Sequence, residues 1–260
     1  MIVKTDAVVL HTRRFRESSK IVTLYTREHG KMAVVARGVV QPKSKYGSAL
    51  QPMAHLNTII YRKEGRDLQN LSIAEPIERY GLIQSSLERM TAALTIVELV
   101  NAVMHDEDRN EPLFETLVAA LRALNQPDAD ESSVQLWFLI RLAVILGYAI
   151  RTDECGVCDE PFAGTREMIP YSLSIGAPLC AEHQESLAYR SMTGPAFVLL
   201  RELCVAEIGE AGAMRPAPGA AAELSDALNA FIRYHVEGLR RLKVKSVSAT
   251  ILDDPRPSGG

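Results

Sequence analysis

The sequence predicts a multi-part α+β chain: a small five-stranded barrel, then an α-helical domain carrying a short cysteine-bearing module. Three observations lead there. The first 75 residues alternate with a period of two. After Pro76 the apolar residues recur at helical spacing. Residues 151–190 lack helix signals and are rich in Gly, Pro and Cys.

The strand segments fall at 3–11, 20–26, 31–39, 53–62 and 68–74. Turn or loop signals lie between them at 13–19, 28–30, 41–51 and 63–67. Five short strands with two tight turns and two longer loops suit a small closed barrel. An SH3-like barrel fits the strand count nearly as well. The barrel is expected to span residues 1–78.

In the helical part, Leu82, Leu87, Met90, Leu94, Val97 and Val100 form an apolar stripe. Two more helices are expected at 113–124 and 134–150, with Pro112 at a helix start. Helices return at 195–208 and 223–242, separated by an Ala/Gly/Pro linker at 210–222. The helical domain is expected to span 79–252, with the module at 151–190 inserted in it and a disordered tail at 253–260.

With 47% hydrophobic and 23% charged residues, each part can pack a core, and wholesale disorder is excluded. The start of the chain goes straight into a strand pattern, so no signal peptide is expected. The longest apolar run, 134–150, carries Arg141 at its centre and is shorter than the roughly 20 residues a membrane span needs. It reads as a buried helix with one long side chain reaching out. The expected setting is the cytosol, where thiols stay reduced, so the 4 cysteines point to metal or core rather than disulfides.

Net charge hides an asymmetry. Residues 1–80 hold 14 Lys/Arg against 7 Asp/Glu, a balance of +7, whereas residues 81–260 hold 15 against 25, a balance of −10. A basic module joined to an acidic one suggests a polyanionic partner at the N-terminal end. A solvated strand surface that happens to be basic is the plain alternative.

Cys155-Gly156-Val157-Cys158 is followed 22 residues later by Cys180-Ala181-Glu182-His183. Two C-x2-C/H knuckles supply the four ligands of a tetrahedral zinc site, and Gly156 is expected to ease the first turn. Residues 161–165 fit the hairpin of a zinc ribbon. A redox pair would leave Cys180 and His183 without a purpose. Four protein ligands leave no position for activated water, so the zinc is expected to be structural. His105-Asp106-Glu107 matches the H-x-E of zinc deaminases, but Glu154 stands where that motif needs proline. Cys204, beside Leu200, Leu203 and Ile208, reads as core. No phosphate-binding loop, nucleophile elbow or H-E-x-x-H occurs, and no enzyme is expected.

The basic residues of the barrel gather in its loops and strand ends. Arg13, Arg14, Arg16 and Lys20 surround the first loop, with Phe15 among them. Arg37, Lys43, Lys45 and Tyr46 follow along the third strand and its loop. Such barrels bind single strands through a basic groove and stacking aromatics, so these eight residues other than Phe15 are the DNA-binding candidates. Phe15 and Tyr46 could equally cover barrel ends.

The run from Arg16-Glu17-Ser18-Ser19-Lys20 through Thr26-Arg27-Glu28-His29-Gly30-Lys31 resembles the second strand and turn of the RecO family. Ala36-Arg37-Gly38-Val39 and Pro42-Lys43-Ser44-Lys45-Tyr46-Gly47-Ser48 resemble its third strand and following loop. The Cys155/Cys158 and Cys180/His183 pairs and Leu242-Lys243-Val244-Lys245-Ser246 also fit, more loosely. The resemblance implies an N-terminal OB-fold and a helical C-terminal domain with a zinc module. It further implies binding of single- and double-stranded DNA, annealing of complementary strands, and partnership with RecR. Binding of the acidic tail of single-stranded DNA-binding protein, help in loading RecA, and a nucleoid-associated place in the cytoplasm complete what it implies.

Physically, annealing requires charge neutralisation, because two strands repel until a basic surface holds one and tolerates the other. A second basic stretch at 240–245 favours its helix C-terminus or attracts an acidic tail or DNA. Two competing readings remain at this level: an RNA-binding or ribosome-associated zinc-ribbon protein, and a zinc enzyme acting on nucleobases.

Overall fold

The computed structural model describes residues 1–39, 46, 49–162 and 166–236. Five strands form a closed barrel: β1 (Ile2–Phe15), β2 (Ser19–Thr26), β3 (Gly30–Ala36), β4 (His55–Tyr61) and β5 (Leu68–Pro76). Their order around the barrel is β1-β2-β3-β5-β4, with β4 closing onto β1. An up-and-down meander would pair only consecutive strands. Here β3 pairs in parallel with β5 (Ala33 with Leu68, Val35 with Asn70), the OB arrangement that strand count alone could not distinguish.

Strand β1 is longer than the sequence pattern suggests. Arg13, Arg14 and Phe15, expected in a loop, continue the ladder opposite Ile21, Lys20 and Ser19. A bulge between Val9 and His11 shifts the alternation, which is why the pattern seems to end early. The loop itself shrinks to Arg16–Ser18, with Arg16 at φ 58°.

The four consecutive buried residues Ala7 to Leu10 divide between two cores. Ala7 and Val9 join Val22, Leu24, Val34 and Ile60 inside the barrel. Val8, Leu10 and Tyr25 face outward into the core of the helices. The barrel and the helical domain are therefore welded by shared apolar packing.

The helices are α1 (Gly81–Ser85), α2 (Leu87–Val103), α3 (Glu111–Leu124), α4 (Glu131–Ile145), α5 (Gly194–Val205), α6 (Ile208–Ala213) and α7 (Pro218–His235). Ser86 splits the first stripe by accepting a hydrogen bond from Arg89 N at the start of α2. Asn110 and Asp130 cap α3 and α4 in the same way. Helix α4 stops short of residue 150, because Gly147 takes φ 88° after the cap. Arg141 reaches out as expected, and with Trp137 Nε1 it donates to Ala206 O just past α5. The stretch at 210–222 is not a linker. It holds α6 and the first turn of α7, which opens on Pro218, a residue preorganised for that position. Residues 237–242 of the expected last helix and the tail at 253–260 lie outside the described residues.

Between α4 and α5 a three-stranded sheet, β6 (Met168–Ser172), β7 (Ala177–Pro178) and β8 (Arg190–Thr193), forms in the order β7-β6-β8. Phe162 and Tyr171 set the module against Phe197 of α5, the Phe162 ring meeting it edge-on at 5.7 Å. No helix among the described residues is long and apolar enough to cross a membrane.

Candidate metal centre and nucleic-acid interface

Strand β7 brings the two cysteine knuckles together. Gly156 N donates to Pro178 O at 2.9 Å, and Cys180 N approaches Cys155 Sγ at 3.4 Å. Within the first knuckle, Cys155 N donates to Glu160 O and Asp159 N to Cys155 O. Gly156 opens the turn at 156–158, as the sequence suggests, and packing also requires glycine there. Its Cβ would lie 2.3 Å from Ile175 Cδ1 and 2.7 Å from Ala177 Cβ, so glycine permits close packing there. The left-handed position of the turn falls on Asp159, at φ 57°.

The ligand atoms of Cys155, Cys158, Cys180 and His183 all lie within 4.8 Å of one another. Cys158 Sγ and Cys180 Sγ are 3.9 Å apart, and His183 Nδ1 is 3.1 Å from Cys180 Sγ. Two sulfurs sharing one tetrahedral ion at ordinary zinc–thiolate distances sit about 3.8 Å apart, so the set fits a metal of that kind. Cys155 is fully buried. Burial opposes its ionisation, but N–H groups of Cys180, Cys158 and Val157 aim at the sulfur and bring its pKa down to about 6. The thiolate form a metal needs is thus prepared by backbone donors that spacing alone does not reveal.

Neither His105 nor Glu107 joins this cluster, and Glu107 gives its carboxylate to Arg62 at 2.7 Å. Cys204 packs against the helical core, and burial pushes its thiol up to about 11.

The basic candidates converge at one end of the barrel. Arg14 stands opposite Lys20 on β2, Lys20 stands opposite Ala36 on β3, and Arg37 follows directly. Arg13, Arg14, Arg16 and Arg37 are exposed, and Lys20 is half-buried. None of the five forms an ion pair among the described residues. The Arg16 guanidinium lies 5.2 Å from the Phe15 ring centroid. Glu17 is the one acidic residue of this hairpin tip. Tyr46 is not on this surface. It is 4% exposed in the barrel core and its hydroxyl donates to Leu71 O at 2.8 Å, so no base can stack on it there. Lys43 and Lys45 lie outside the described residues.

Other cations of the +7 module serve a different purpose. Arg27 pairs with Glu115 at 2.5 Å, and its guanidinium lies over Phe114. Lys31 donates to Asn101 O at 3.0 Å. Arg62, as noted, pairs with Glu107. All three hold the barrel to α2, α3 and their connector.

Comparison with known proteins follows this division. Residues 1–80 match the family model described as recombination protein O N terminal, and residues 84–245 match recombination protein O C terminal. The chain belongs to the RecO family. The two RecO models meet between β5 and α2, where barrel gives way to helices. A DNA repair protein RecO of Chlorobium limicola is 30% identical across 97% of this chain and 99% of its own length. A DNA repair protein RecO of Symbiobacterium thermophilum is 29% identical across 96% of this chain and 98% of its own. The DNA repair protein RecO of Salinibacter ruber is 41% identical over a segment covering 60% of each chain.

Proposed function

We propose that this RecO-family chain is a DNA repair and recombination mediator that works by binding rather than by catalysis. Its DNA surface is the hairpin end of the barrel, Arg13, Arg14, Arg16, Lys20 and Arg37, and Lys43 and Lys45, which follow in sequence, are proposed as further DNA contacts. The observation that carries this reading is five neighbouring cations without carboxylate partners among the described residues, while the cations facing the helices are neutralised. A polyanion is the chemistry that such a surface lacks.

A basic surface that holds one strand and tolerates a second lowers the barrier to annealing. With RecR, and through the acidic tail of single-stranded DNA-binding protein, the chain helps load RecA onto coated strands in the cytoplasm, beside the nucleoid. The test is annealing of two complementary oligonucleotides without nucleotide cofactor. The wild-type chain is expected to accelerate it, and a variant carrying Arg14→Glu, Lys20→Glu and Arg37→Glu is expected to lose that activity while its circular dichroism spectrum is unchanged. Equal rates for both proteins would remove the hairpin end as the DNA surface.

The cluster of Cys155, Cys158, Cys180 and His183 is assigned as the site of one structural zinc ion, on the strength of three thiols and an imidazole whose ligand atoms lie within 4.8 Å of one another. When bound, zinc cross-links the two knuckles and adds to the stability of the module. Cys155→Ser is expected to release metal and lower the melting temperature. Elemental analysis finding no zinc in wild type, together with normal melting of the variant, would end this assignment.

A further inference from the structure

The last rows of the β1–β2 hairpin stand clear of the barrel on one side. Strand β4 pairs with β1 from Ile2 to Val8, whereas β2 stays paired with it as far as Phe15. Alternation assigns each side chain of the tip to a face. Val22 and Val34 point into the barrel core, so the adjoining Ile21 and Val35 point out, and Arg13 opposite Ile21 points out with them. Phe15, two residues beyond Arg13 and opposite Ser19, is on that same outer face.

Phe15 has no place in either core. It is half-buried, and among the described residues it packs with neither the barrel interior nor the helical cluster. Instead the Arg16 guanidinium lies over its ring, 5.2 Å from the centroid, so a planar group already rests on that face. Two other aromatics of the barrel are committed elsewhere. Tyr25 packs against Phe114 and donates to Asn110 O, and Tyr46 is buried in the barrel core. The charge around Phe15 has one sign apart from Glu17 in the turn. The ladder rows from Arg13 to Phe15, with their partners on β2 and β3, contain Arg13, Arg14 and Lys20 but no carboxylate, and Arg16 and Arg37 follow directly. A free ring set among unpaired cations fits a ligand that is anionic along its backbone and flat and apolar between the charges.

We propose that Phe15 is the residue by which the hairpin end tells single strands from duplex. One unstacked base takes the place that the Arg16 guanidinium holds now on the ring, and Arg13 and Arg16 meet the flanking phosphates. This rests on the DNA-binding reading of the hairpin end and deepens it. The cations meet the phosphates of either form of DNA. Bases in a duplex are paired and stacked, so their faces do not reach a protein ring, and only an unpaired base gains from Phe15.

The experiment measures binding of the full chain to an oligothymidylate and to a duplex of equal length by fluorescence anisotropy. Phe15→Ala is expected to weaken oligothymidylate binding about tenfold and leave duplex binding unchanged. Phe15→Leu keeps apolar bulk without a ring, and is expected to melt like wild type yet lose most of the same single-strand affinity. Phe15→Trp is expected to retain binding, with fluorescence quenched by the oligothymidylate and not by the duplex, beyond any change from the buried Trp137 of wild type. Full oligothymidylate affinity in Phe15→Leu, or an equal loss for duplex, overturns the proposal and leaves Phe15 as a cover for the barrel end. If the triple variant at Arg14, Lys20 and Arg37 loses both forms of DNA while the Phe15 variants lose neither, this inference falls and the first reading stands. If the triple variant keeps its affinity, the reading on which this one rests falls with it.

Discussion

The two ends of the barrel carry the same kind of residue in opposite circumstances. Where α2 and α3 pack, Arg27, Lys31 and Arg62 each meet a carboxylate or carbonyl of the helical domain. At the hairpin end, Arg13, Arg14, Arg16, Lys20 and Arg37 meet none among the described residues. The +7 of the first 80 residues is thus two populations, one structural and one turned to solvent. Charge totals suggest a polyanion partner, but only the pairing says which cations are free to meet it.

The largest effect is expected from reversing charge at the open end. The triple variant at Arg14, Lys20 and Arg37 is expected to lose roughly a thousandfold in single-strand affinity at low salt, with the slope of log K against log salt shallower by about 2. Gel-shift titrations across 50 to 200 mM salt, as rough bounds, read both quantities. Next comes Gly30→Ala at the packed end. Its Cβ would lie 2.3 Å from Asp108 O at a backbone φ of 65°, so a loss of about 3 kcal/mol in unfolding free energy is expected, with DNA affinity of the folded protein unchanged. Denaturant unfolding of the variant checks this. Arg62→Ala removes a partly exposed pair and is expected to cost less than about 1 kcal/mol, again without touching DNA affinity. A large affinity loss in either packed-end variant would erase the distinction between the two ends.

The smallest effect is pH-dependent. His55 is 2% exposed at this same seam, edge-on to Phe114, and neither ring nitrogen has a hydrogen-bond partner among the described residues. Burial holds its pKa below the usual histidine value, against the pull of Glu78 and Asp6. The unfolded chain therefore binds the proton more readily. His55 contributes stability that is complete above about pH 6.5 and is lost as pH falls from there toward its folded-state pKa. Denaturant midpoints at a series of pH values should fall on acidification, and less so in His55→Phe.

How much was readable beforehand differs between these regions for physical reasons. The metal ligands are local in sequence, so their spacing reveals the cluster, yet the close packing of Gly156 against Ile175 and Ala177 across the module has no local signature. Alternation located all five strands, while the bulge in β1 concealed that Arg13 and Arg14 belong to a ladder. The OB order needed the parallel pairing of β3 with β5, a long-range contact without a local signature. Tyr46 shows the same limit, since a tyrosine in a basic loop reads as a stacking residue until Leu71 O is found to hold its hydroxyl. The Ala/Gly-rich segment hid α6 and the start of α7, because small residues that pack closely in a helix also resemble a linker.

The shared packing of Val8, Leu10 and Tyr25 bears on how this chain comes into being. Synthesis delivers the barrel before Phe114 exists, so these three side chains emerge with nothing to cover them. A nascent barrel of this kind exposes an apolar face until α3 leaves the ribosome. The same exposure makes residues 1–80, expressed by themselves, prone to aggregate. A dissection that cuts at the junction of the two family matches would expose that seam, and any DNA-binding measured on the fragment would mix the hairpin's charge with the stickiness of an uncovered face.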